Sequence, residues 1–130
     1  MTHRSTTKLI KISNALLTQT KQGRLTWTST ENLDVFEVNF PDYSIRIAHR
    51  LDRRTTQTMG ELGTYHKIEI YNNEGMPIEV ATSDQMKHEG IPEAENITEV
   101  LAELYGLAKE QALGVDSALD ELLSRLNSAA

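Results

Sequence analysis

From about Leu25 to Val80, apolar and polar residues alternate with period two, interrupted by turn signals. Helical spacing takes over on both sides. A period of two places alternate side chains on opposite faces of a strand, so this stretch predicts an antiparallel meander burying one face. Arg24–Thr28 carries Leu25 and Trp27 on one side. Val35–Phe40 carries Phe36, Val38 and Phe40, with Glu37 and Asn39 opposite. Pro41-Asp42 predicts a turn. Tyr43, Ile45 and Ile47 then alternate with Ser44 and Arg46, and the strand can run on to Leu51. The polar, glycine-bearing stretch 53–63 reads as a long hairpin loop. Thr64–Tyr71 places His66, Ile68 and Ile70 inward and Tyr65, Lys67, Glu69 and Tyr71 outward. Asn72-Asn73-Glu74-Gly75 predicts a tight hairpin, because Asn and Gly tolerate positive φ. Met76, Ile78 and Val80 complete a fifth strand, with Glu69 and Glu79 outward and opposite one another.

The flanks read as helices. Leu9, Ile12 and Leu16, with Ala15 and Leu17 beside them, predict a helix over 5–22 that starts at Ser5 or Thr6 and stops at Gly23. Residues 1–5 read as a disordered extension. The stretch 83–95 lacks periodicity and reads as a surface crossover. Asn96 with Glu99 forms a variant capping box. Ile97, Val100, Leu101, Leu104 and Ala108 make the buried stripe of the helix that follows. Gly114 is a stop, and Val115, Leu119, Leu122, Leu123 and Leu126 make a last stripe. The expected fold is α+β: a five-stranded antiparallel meander sheet, with an N-terminal helix and a C-terminal helical pair (96–127) packed on one face. The whole chain, 1–130, reads as one domain. One small sheet face has little room for three apolar stripes. The surplus points to a homodimer through Leu119, Leu122, Leu123 and Leu126.

Composition narrows the chemistry. With no cysteine, thiolate metal sites and cysteine nucleophiles are excluded, and a cytoplasmic setting is expected. No apolar run approaches the ~20 residues that span a bilayer, so no membrane partner is expected. The net charge of −6 is unevenly spread. Residues 1–24 carry five cations and no acid, whereas from Ile91 onward Lys109 and Arg125 oppose eight carboxylates. Those ends could attract one another within or between chains, or the basic end could dock an acidic partner.

No motif marks a catalytic residue, a metal or a cofactor. The serines lack a nucleophile elbow, and the glycines form neither a phosphate loop nor a dinucleotide fingerprint. His49 and His66 can be neighbours across a hairpin, as half-buried strand residues or as the centre of a hydrolase or transferase pocket. The outer face gathers Arg46, Arg50, Tyr65, Lys67 and Tyr71, with Arg53 and Arg54 opening the adjoining loop. Arginines beside tyrosines on a sheet suit a protein partner, a small anionic ligand or the stacked bases of a single strand. The acidic net charge counts against nucleic acid. Paired Arg–Glu and Lys–Glu decoration gives the same pattern.

The segments K-Q-G-R-L-T-W (21–27), F-P-D-Y-S-I-R-I (40–47), I-Y-N-N-E-G (70–75) and L-Y-G-L-A-K-E-Q-A-L-G-V-D-S-A-L-D-E-L-L (104–123) resemble a family of small uncharacterised bacterial proteins. The resemblance covers most of the chain. It implies a bacterial or phage-related cytosolic origin, with no activity and no catalytic residue. The expectation is therefore a non-enzymatic binding or regulatory protein, a homodimer that recognises a protein or small ligand.

Overall fold

The computed structural model describes residues 3–52 and 63–128. Helix α1 (His3–Lys21) is followed by strands β1 (Thr28–Ser29), β2 (Val35–Asn39), β3 (Tyr43–Asp52), β4 (Gly63–Asn72) and β5 (Pro77–Thr82). Helix α2 (Ser83–His88), a 3₁₀ turn (Pro92–Ala94) and helices α3 (Ile97–Leu113) and α4 (Val115–Ser128) complete the chain. The sheet is an antiparallel meander in the order β1-β2-β3-β4-β5. The fold is thus α+β, as expected.

Register follows from the hairpins. Phe36, Ile47, Ile68 and Ala81 form one row across four strands. All four are buried, and they make the floor of the core. Helix α3 crosses that floor and sets Ile97, Leu101, Leu104 and Ala108 on it, a stripe with the three- and four-residue spacing of one helical face. Helix α1 packs against α3, and Lys21 Nζ lies 2.9 Å from Glu103 Oε2. Trp27 closes the end between them. Its Nε1 donates to Thr20 Oγ1 at 3.0 Å, and its backbone N–H donates to Gln111 Oε1 at 2.8 Å. The Gln111 amide donates in turn to the Leu25 carbonyl at 2.9 Å. One α3 side chain thereby satisfies the backbone leading into β1.

Helix α1 starts at His3, so residues 3–5 are helical rather than part of a disordered tail. Its buried face includes Thr6, Ile10 and Ser13, while Ala15 stays exposed. The buried Ser13 hydroxyl donates to the Leu9 carbonyl one turn back. Gly23, at φ 72, ends the helix as expected. Its N–H donates to Thr20, and the Arg24 N–H reaches back to Gln19, the paired bonds of a left-handed helix stop.

Three readings are corrected. The register shifts at Ile70/Tyr71, so Ile70 faces Glu79 and Tyr71 faces Pro77. One extra residue flips every side chain beyond it. Glu69 therefore faces Val80, Glu79 shares the face of Ile70, and Met76, Ile78 and Val80 remain exposed. The crossover at 83–95 is helical in part, with Ser83, Met86 and Ala94 buried. Thr82 accepts from the Gln85 N–H while the Gln85 side chain accepts from the Thr82 N–H, a complete capping box. The box expected at Asn96 does not form, and Asn96 makes no side-chain cap bond. Burial of Ile97 holds that helix end instead. Accordingly, Thr82→Ala should lower stability by about 1 kcal/mol in urea unfolding, whereas Asn96→Ala should stay within about 0.5 kcal/mol. Equal losses at both caps would contradict this assignment.

Candidate functional site

The five outer-face residues come together where the alternation places them. Arg46 and Arg50 lie on β3 opposite Glu69 and Tyr65 of β4, with Lys67 and Tyr71 alongside. The structure adds their partners. Glu37, Arg46 and Glu69 stand in one row across β2, β3 and β4. Arg46 Nε donates to Glu37 Oε2 at 2.7 Å, and its Nη1 lies 3.9 Å from Glu31. The guanidinium also sits 5.3 Å from the centre of the Tyr71 ring. Lys67 Nζ is 3.5 Å from Glu69 Oε2. The hydrogen bond to Glu37 pushes the Arg46 pKa up, against the effect of burial. Burial and the Glu69 charge push the Tyr71 hydroxyl up. Arg50 Nη1 donates to the His49 carbonyl at 3.4 Å. The row alternates in sign around Arg46, and Lys67 has Glu69 beside it on its own strand, so both positive charges are largely cancelled where they arise. Arg53 and Arg54 lie outside the described residues.

The two strand histidines face each other in register on β3 and β4. Their ring centres are 5.2 Å apart, and Tyr105 of α3 packs on both, at 5.5 Å from His49 and 5.2 Å from His66. Phe36 lies 5.6 Å from Tyr105 on the other side. The rings fill the space between them, so the histidines support α3 on the sheet. The Tyr105 hydroxyl donates to Asp34 Oδ1 at 3.4 Å, and burial, then Asp34, raises its pKa. The sequence hints at Tyr105 only through its position beside the Leu101–Leu104 stripe.

Burial, then the neighbouring His49, lowers the His66 pKa below the ordinary histidine value of about 6.5. The unfolded chain therefore takes up this proton at higher pH than the fold does. The stabilisation is complete above about pH 6.5 and is lost as pH falls below it toward the folded pKa. One full proton corresponds to about 1.4 kcal/mol per pH unit, and the partial exposure of His66 keeps the slope below that. Urea midpoints measured from pH 7.5 to 5 should fall in the wild type and fall less in His66→Gln. Equal slopes in both would refute the assignment.

His88, exposed at the end of α2, borders an open hollow of about 630 Å³ with Glu79, Val80, Asp84, Gln85 and Glu89. Glu89 accepts a hydrogen bond from the Thr6 hydroxyl. Among the described residues, no group of three or more His, Asp or Glu could hold a metal ion, and no helix is long and apolar enough to cross a membrane.

The predicted leucine stripe lies on α4. Leu119, Leu122, Leu123 and Leu126 are 54, 55, 57 and 70% exposed, and no residue of α4 is buried. The helix follows Gly114, whose φ of 61° turns the chain out of α3. Asp116 and Asp120 flank the stripe, while Glu121 lies on the opposite face, 3.0 Å from Arg125. The spacing of the four leucines keeps them on one side of the helix, forming a continuous apolar band. No family model matches the chain, and no curated protein or solved structure matches it significantly.

Proposed function

We propose that this chain is a small cytosolic, non-enzymatic binding or regulatory protein that works as a homodimer and recognises a protein or small ligand. The observation that carries the reading is the amphipathic α4, which holds four leucines in solvent beside a core already filled by α1, α3 and the sheet. A band of that kind is costly to leave in water and is the usual signature of an association surface. The lack of cysteine suits a reducing compartment.

The alternatives draw less support. Phosphate affinity depends on net positive charge, and Arg46 and Lys67 already face Glu37 and Glu69. A hydrolase or transferase pocket needs an open reaction space, and Tyr105 packs directly on His49 and His66.

Light scattering on the intact chain and on one ending at Gly114 tests the reading. The intact protein is expected at twice the 14.6 kDa chain mass and the shortened one at the monomer mass. An intact protein that stays monomeric at high micromolar concentration would count decisively against it.

A further inference from the structure

The exposed leucines have a counterpart on the same chain. Ile12, Ala15 and Leu16 of α1, together with Leu25, Phe40 and Ile45, enclose an apolar groove of about 230 Å³. Alternation assigns Phe40 to the core, yet Phe40 lies past the end of β2 and is 39% exposed at the lip of this groove. Ala15, expected beside the buried stripe of α1, is exposed at the same place. The surface therefore offers one convex apolar feature and one concave one.

Charge decides what fits. Lys8 and Lys11 precede Ile12 and Ala15 by one helical turn, on the strip of α1 that borders the groove, and both are exposed. Asp116 and Asp120 border the leucine band on one side, while Glu121 lies on the far face of the helix, paired with Arg125. Two α4 helices packed on each other would bring Asp116 and Asp120 of both copies to one contact, while Arg125 is already paired with Glu121. The basic edge of α1 offers opposite charge instead.

Position makes the exchange short. Gln111, in the last turn of α3, holds the carbonyl of Leu25, a groove residue. Asp116 borders the same hollow as Thr20 of α1. The arm thus leaves the body beside the groove. A helix of 14 residues extends about 21 Å from that point.

We propose that two copies exchange their α4 helices, each leucine band seated in the α1–Phe40 groove of the other copy, with its acidic border against Lys8 and Lys11. The contact is reciprocal, so it closes as a twofold dimer and does not propagate. It rests on the dimer reading above and names the surface that reading leaves open.

Complementation between two variants tests it. Ala15→Trp fills the groove from an exposed helical position, and Leu119→Gln/Leu122→Gln blunts the arm. Each alone should weaken dimerisation about 100-fold or more by sedimentation. An equimolar mixture should recover a mixed dimer, weaker than wild type, because one good arm still meets one good groove. If Ala15→Trp dimerises like wild type while the arm variant does not, the arms pair with each other. Exchange is then wrong and the homodimer reading survives. A monomeric wild type overturns both. Should Ala15→Trp fail to fold, charge reversal replaces it. Lys8→Glu/Lys11→Glu should weaken the dimer about tenfold at low salt, with recovery on adding Asp116→Lys/Asp120→Lys. Affinity indifferent to those reversals would overturn the docking.

Discussion

Trp27→Ala is expected to cost about 3–5 kcal/mol of folding stability, the largest loss from any single change considered for this chain. The indole is buried, and it is the largest of the fully buried side chains. It joins the core shared by α1, α3 and the sheet, so truncation leaves a cavity that three elements would have to collapse to fill. It also removes the donor to Thr20 Oγ1, a hydroxyl on α1. A domain of this size commonly has about 5–15 kcal/mol in total, so the variant should sit near the edge of folding. Urea unfolding should show a much lower midpoint with an unchanged slope. Trp27→Phe, which keeps most of the bulk, should lose about 1–2 kcal/mol. A loss below about 1 kcal/mol in the alanine variant would mean that Trp27 does not tie the helices to the sheet.

The second large effect is expected on the proposed dimer and not on the fold. Leu119→Gln/Leu122→Gln removes two side chains that are more than half exposed within the chain. Glutamine is a good helix former, so the isolated subunit should unfold at the wild-type midpoint at low concentration. In a dimer that buries both leucines the loss is about 3–6 kcal/mol, or at least 100-fold in Kd. The wild type should therefore show a melting temperature that rises with concentration, and the variant should not. A variant that is less stable even at low concentration would place the stripe in the core of its own subunit.

The two experiments separate what holds the chain's own fold together from what the proposed dimer would depend on. The inner sheet face is small, with Phe36, Ile47, Ile68 and Ala81 in one row and Val38, Ile45 and Ile70 in the next, and α3 already occupies it, with α1 on its flank. Among the described residues no comparable surface is left for α4, so its leucines remain in water or meet another chain.

Much of the outer face was legible from alternation alone. Arg46, Arg50, Tyr65, Lys67 and Tyr71 share a face because every second residue must. Their neutralisation was not legible, because Glu37 and Glu69 become neighbours of Arg46 only when two hairpins set the register. The same limit explains β5. Its apolar residues have the right period, but a single bulge decides which face they take, and the hairpin sequence does not announce the extra residue. The Thr82–Gln85 box is readable as a T-x-x-Q pattern, but no helical hydrophobic spacing follows it to mark a helix. At Asn96 the pattern was present and the bonds were not.

The sequence by itself determined the order of the five strands and the three longer helices, the meander, the inward row of Phe36, Ile47 and Ile68, and the leucine band of the last helix. Those features depend on local periodicity and turn chemistry, which neighbouring residues settle among themselves. Only the tertiary structure decided that His49 and His66 are capped by Tyr105, that Arg46 is held by Glu37, and that α4 is left without cover. Each of these depends on which distant residues share a limited area of sheet, and that allocation is made by packing across the whole fold.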